Sequence, residues 1–126
     1  MKRRDQRIRI MTCIYQYLLT DKSLDDIFEE NLDMDDRESI SFIVNNTVET
    51  VNNLPELEKA VKSKLTETWD FERLGFLEQA ILLMSANELA KKETDKAVII
   101  NEAIEIAKQY CDDDAPKLIN GILDQL

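Results

Sequence analysis

Apolar residues recur along most of this chain at spacings of three and four, the period of one face of an α-helix. Ile8, Met11, Tyr15 and Leu18 keep that spacing, and Ile14 and Leu19 widen the stripe, so a first helix is expected from about Arg4 to Leu19. Asp21 and Ser23 are candidate caps for a short second helix through Ile27 and Phe28. Asp35 or Asp36 can start a third, with Ile40, Phe42, Ile43, Val44, Thr47, Val48 and Val51 as its buried side. Asn52 and Asn53 close it. Pro55 then opens a fourth helix through Leu57, Val61 and Leu65, because proline is tolerated in a first helical turn.

Thr68 to Leu74 reads as a loop or short turn with Trp69 and Phe71 as core plugs. After Gly75 a strongly apolar fifth helix runs through Leu77, Ala80, Ile81, Leu82, Met84 and Leu89, and Ala80, Ser85 and Ala86 leave room for a close neighbour. Lys91 to Asp95 breaks the pattern. A sixth helix holds Val98, Ile99, Ala103, Ile104 and Ala107 and ends near Tyr110. Asp114 before Ala115-Pro116 is a good N-cap for a seventh, which carries Leu118, Ile119, Ile122 and Leu123. The expected architecture is all-α, about seven helices in a single domain over residues 1–126.

Composition agrees. Two glycines and two prolines in 126 residues are too few for the tight hairpins of a sheet protein. Hydrophobic residues at 44% are enough for a core and too many for a disordered tail. No apolar run approaches the roughly 20 residues that span a bilayer. The basic start MKRRDQRIRI lacks the apolar stretch of a secretion signal. The expected setting is therefore cytoplasmic, with no membrane partner and with Cys13 and Cys111 as reduced, small hydrophobic fillers.

The chain contains no histidine. That removes the commonest general base, the commonest metal ligand and every Ser-His or Cys-His arrangement. No Cys-x-x-Cys pair and no glycine-rich phosphate loop occurs. The Asp112–Asp114 run reads as a solvated helix start more readily than as a cation site. The expectation is a binding protein with no enzymatic activity, no cofactor and no metal.

Charge changes the picture most. The net charge is −10, yet residues 1–9 hold five basic side chains against Asp5. A local basic patch on an acidic body points to a positioned phosphate contact, not to general adhesion. Arg3 and Arg7, one turn apart, should point the same way. A plain solvent-facing helix start is the alternative, but positive charge there opposes the helix macrodipole. RNA binding fits, since arginine forks onto phosphate and stacks on bases, and Tyr15 offers a stacking face. Tyr15 reads equally well as core.

The chain contains Trp69 with Arg73-Leu74-Gly75, Ala80-Ile81-Leu82, Glu88-Leu89, Ile100-Asn101-Glu102-Ala103-Ile104-Glu105-Ile106-Ala107-Lys108 and Lys117-Leu118-Ile119-Asn120-Gly121-Ile122-Leu123-Asp124. Together these blocks resemble the NusB family of bacterial antitermination factors. Arg3-Arg4, Arg7 and Ile14-Tyr15-Gln16 resemble the family's basic opening, while residues 21–66 match in pattern only. Physically, Asn101 and Asn120 suit backbone groups between helices, Gly121 suits a close helix contact, and Glu102 and Lys108 suit surface ion pairs.

The resemblance implies two helical sub-bundles and a role in processive transcription of ribosomal RNA operons. It implies pairing with NusE, a small-subunit ribosomal protein, binding of boxA RNA in nascent transcripts, and membership of an RNA polymerase antitermination complex. Carried over by position, the RNA side falls on Lys2, Arg3, Arg4, Arg7, Tyr15 and Glu78. The NusE side falls on Tyr110, Asp114 and Leu118, with Asp114 also weighed as a pure cap.

Asp5 stands where relatives often carry another arginine, and Thr12 replaces a usual glutamine, so both weaken the expected RNA contacts. Cys111 replaces a customary glycine, and Leu118 replaces the common phenylalanine, which shrinks the partner contact. One alternative is a helical protein-interaction module that has lost RNA binding. A second is the NusB-like domain that precedes the catalytic domain of some ribosomal RNA methyltransferases, disfavoured because the chain ends at Leu126. On this reading, reversing the charge of Arg4 and Arg7 together weakens RNA binding steeply and leaves folding intact.

Overall fold

The structure is a computed structural model that describes residues 1–65 and 70–126. Trp69, expected as a core plug, lies outside the described residues. Among the described residues the elements are α1 (Arg3–Leu19), α2 (Leu24–Asn31), α3 (Arg37–Asn52), α4 (Leu54–Lys62), a single 3-10 turn (Phe71–Arg73), α5 (Phe76–Lys91), α6 (Lys96–Tyr110) and α7 (Ala115–Asp124). The seven α-helices and the all-α class agree with the periodicity.

Helix starts follow side-chain chemistry. Ser23 caps α2, its hydroxyl accepting from the Asp26 N–H at 3.2 Å. Asp36 caps α3, accepting from the Glu38 and Ser39 N–H groups at 3.1 and 3.3 Å. The Ser39 hydroxyl also donates to Asp36, and these bonds hold the Asp36 carboxyl below the usual carboxylate range. Pro55 and Pro116 sit in the first turns of α4 and α7. Asp114 holds the N-cap position of α7 but makes no side-chain cap bond, because its own backbone is already helical. The expected capping role of Asp114 therefore gives way to a tight turn in which the Ala115 N–H reaches the Asp112 carbonyl at 3.0 Å. Helix α5 ends on Lys92 with φ 57°, a left-handed closure more often given to glycine.

Helix α5 is the axis of the molecule. Every residue from Gln79 to Glu88 is buried, as expected for a helix that is apolar all round. It packs against α1 and α3 on one side and against α4, α6 and α7 on another, so it belongs to both sub-bundles. Helix α1 turns Ile10, Met11, Cys13 and Ile14 inward, together with Gln6 and Arg7. The predicted stripe of α1 is therefore rotated: Ile8, Tyr15 and Leu18 are half-buried and Leu19 is exposed. Helix α3 shows a similar shift. Its buried line is Ser39, Ile43, Asn46, Thr47 and Thr50, while Phe42, Val44 and Val48 are half-buried. The Thr47 and Thr50 hydroxyls donate to the Ile43 and Asn46 carbonyls, each at 2.7 Å, so this polar seam is satisfied internally.

Three residues depart from expectation. Asn101 and Asn120 are exposed and bridge no helices among the described residues. Gly121 makes no close helix contact, since a Cβ built there meets nothing within 4 Å. A glycine in a helix interior costs roughly 0.5–1 kcal/mol relative to alanine. Gly121→Ala should therefore raise stability by about that amount in urea unfolding, and a loss of stability would show a hidden packing role.

Candidate nucleic-acid and partner interface

The N-terminal arginines separate into two kinds. Arg7 lies one turn before Ile10 and two before Ile14, on the inner stripe of α1. Its guanidinium is buried and grips Glu88 of α5 through two parallel bonds, Nε to Oε2 at 2.8 Å and Nη2 to Oε1 at 3.0 Å. This forked geometry matches guanidinium to carboxylate. Arg7 is thus turned away from the surface where the sequence had placed an RNA contact. Sequence reasoning missed its partner, although a signal existed: Glu88 is a lone carboxylate deep in the apolar run of α5, and a buried charge demands an opposite one.

Lys2, Arg3 and Arg4 are exposed. Arg4 donates to Glu102 of α6 at 2.6 Å, a surface pair. Arg3 lies flat over the Phe42 ring, 3.8 Å from its centroid, and donates to Gln6 Oε1 at 2.6 Å. Neither Lys2 nor Arg3 pairs with a carboxylate among the described residues. Arg9, further along, donates to the Asn31 carbonyl and lies 3.7 Å from Asp33. Lys2 and Arg3 therefore stay open, with Arg4 exposed beside them in its surface pair, although three of the five leading cations are paired. Thr12 donates to the Ile8 carbonyl at 2.9 Å. Tyr15 is half-buried against the core, between the two alternatives the sequence left open.

Glu78 sits elsewhere than the sequence reading implied. It is at the start of α5, its carboxylate folded back against the backbone of Gly75. With Arg73, Leu74, Asp112, Asp114 and Leu118 it lines a small hollow of about 190 Å³ where α5 meets α7. The structure thus groups Glu78 with Asp114 and Leu118, not with the leading arginines. Leu118 is half-buried and also borders the next hollow, beside Lys64, Leu65 and Gly121. Tyr110 is exposed at the end of α6. Between these lies Cys111, whose thiol is pushed up to about 12 by burial and by the nearby Glu78 and Asp112 carboxylates. Cys13 is pushed up to about 11 by burial. Both stay protonated near neutral pH, as unreactive fillers do.

Among the described residues no group of three or more Cys, Asp or Glu side chains is placed to hold a metal. No helix of the described residues is long and apolar enough to cross a membrane. What the geometry offers is two separate surface features: a cationic tip on α1 and an acidic, partly apolar corner between α5 and α7.

The comparisons with known proteins agree. The NusB family profile matches residues 4–126, and the chain belongs to the NusB family. The transcription antitermination protein NusB of Sulfurovum sp. (strain NBC37-1) is 34% identical over 128 residues, covering 98% of this chain and 96% of that protein. The NusB of a Nitratiruptor species is 36% identical over 129 residues, covering 98% and 90%. Among solved structures, T. maritima NusB is 30% identical with a TM-score of 0.90, covering 99% of this chain and 89% of that one. A chain in the crystal structure of antitermination factors NusB and NusE in complex with dsRNA shares the fold at 20% identity, with a TM-score of 0.88 and coverage of 98% and 93%. The family is one of non-catalytic antitermination factors, and this chain is not an enzyme.

Removing one partner of a buried ion pair leaves an uncompensated charge and costs roughly 3–5 kcal/mol. Arg7→Ala should lose that much in denaturant unfolding, while Arg4→Ala leaves the midpoint nearly unchanged. The double variant Arg7→Met, Glu88→Leu should recover most of the loss. Equal, small effects at Arg4 and Arg7 would overturn the division between them. The same division corrects the expectation that reversing Arg4 and Arg7 together spares the fold: Arg7→Glu would bury two carboxylates against each other.

Proposed function

We propose that the protein is an antitermination factor that binds boxA RNA of nascent ribosomal RNA transcripts while paired with NusE, as part of an RNA polymerase complex in the cytoplasm. The observation that carries this reading is the exposed Lys2-Arg3-Arg4 cluster on an otherwise acidic member of the NusB family. Lys2 and Arg4 hold phosphates. The exposed Arg4–Glu102 pair is no obstacle, because surface pairs contribute little and exchange readily. Tyr15, half-covered, serves as a partial stacking face. Arg7 acts indirectly, by fixing the helix that carries the others. NusE pairs at Tyr110, Asp114 and Leu118, and Glu78 belongs with that corner.

A second reading has one observation in its favour. Arg4, Arg7 and Arg9 all face carboxylates, as they would in a protein-interaction module that had lost RNA binding. Titrating labelled boxA RNA with and without NusE separates the two. Binding absent in both cases decides for the second reading.

Two outcomes follow from the first. Lys2→Glu with Arg4→Glu should weaken RNA binding and flatten its salt dependence by roughly 0.7 in logarithmic slope for each phosphate no longer held. Unchanged affinity moves the RNA site away from the α1 tip. Leu118→Asp should abolish NusE pairing in a pull-down or calorimetric titration, because it sets an unpaired charge in an apolar contact. Normal pairing by the folded variant removes Leu118 from the partner surface.

A further inference from the structure

A groove of about 760 Å³ opens beside the cationic tip, between the start of α1, the outer face of α3 and the turn after α5. Arg3 and Phe42 form one wall, with Ser41, Asn45, Asn46, Lys91 and Glu93 around it. Its volume is that of an ordinary small-ligand site.

The Arg3 guanidinium is held in place before any ligand arrives. One face lies on the Phe42 ring. Its in-plane rotation is set by the bond to Gln6, whose amide donates to the Ser39 hydroxyl at 2.8 Å, which in turn donates to Asp36 at 2.6 Å. The other face of the plane is left to the groove. A fixed guanidinium plane is a stacking platform for a nucleobase. The groove also holds unclaimed hydrogen-bonding capacity. Asn45 donates to Ser41 Oγ at a long 3.4 Å, and its carbonyl oxygen accepts from no described group. That leaves an amide able to donate to and accept from a base edge.

Charge decides between base and phosphate. Lys91 is already engaged by Glu49 at 3.0 Å and Glu93 at 3.6 Å, and Glu38 stands on the rim. The Met1 ammonium, also on the lining, faces Asp36 at 3.5 Å, so Arg3 is the groove cation that no described carboxylate pairs. An anion would meet that one charge against Glu38 and Glu93, while a neutral, flat, polar ring meets a platform and an amide. We infer that the groove takes one unstacked base of a single-stranded RNA, stacked on Arg3 and read at its edge by Asn45, while the flanking phosphates stay on Lys2 and Arg4. This inference rests on the RNA-binding reading above and adds a base subsite to it.

The test is fluorescence anisotropy of a short labelled single-stranded boxA RNA with the full chain and NusE, comparing wild type with Arg3→Lys and Asn45→Ala. Arg3→Lys keeps the charge and removes the plane. Both residues are exposed and their variants should pair with NusE normally. The expected result is a loss of about tenfold for Arg3→Lys, the effect of one stacked base, with an unchanged salt slope. Asn45→Ala should lose severalfold and change the preference among bases. Against a panel of the same RNA with single abasic positions, one position should bind wild type and Arg3→Lys equally. If the wild-type complex binds and both variants match it, the base subsite is wrong and the RNA-binding reading stands. If Arg3→Lys is silent while Arg3→Ala flattens the salt slope, Arg3 holds phosphate and the subsite is also wrong. If the wild-type complex binds no RNA, both readings fall.

Discussion

The forked pair between Arg7 and Glu88 joins the first helix to the central one, and the arrangement of the cationic tip depends on it. Two charges withdrawn from water repay their desolvation only when geometry is good and both partners are present. Here two parallel bonds, at 2.8 and 3.0 Å, meet that condition. The pair holds Arg7 on the same inner face of α1 as Ile10 and Ile14. With Arg7 inward, Arg3 falls over Phe42 and Arg4 falls toward α6. Arginines close together in sequence thus acquire different tasks from a single constraint.

The helices were legible in the sequence because their number, order and most of their ends rest on local rules: period, capping side chain and proline placement. Ser23 and Asp36 resolved the two capping ambiguities in favour of the residue nearer each helix start. What local rules could not give was the rotation of α1 and α3. Both helices bury small and polar residues in a close seam, with Gln6 bonded to Ser39 and Thr47 and Thr50 bonded to their own helix. A stripe drawn through the largest apolar residues misses such a seam, since side-chain bulk keeps helices apart where small residues bring them together.

The candidate surfaces were legible by composition and by family blocks, less so by geometry. The basic tip was visible as a charge imbalance, and the α5–α7 corner as a block resemblance. The separation of Arg7 from its neighbours was not, because it depends on a residue eighty-one positions away in the chain. Glu78 was misplaced for the same reason. Its neighbours Asp114 and Leu118 come from the far end of the sequence, and only the packing of α7 on α5 brings them together.

The buried clamp and the exposed tip answer differently to ionic strength. Mobile ions screen charges in water over about 8–10 Å at ordinary salt, but they reach a pair enclosed by protein far less. Rising salt would therefore strip a bound polyanion from the surface cations long before it loosened the helix carrying them. Such a protein can release its cargo intact and recapture it, with no refolding between one engagement and the next.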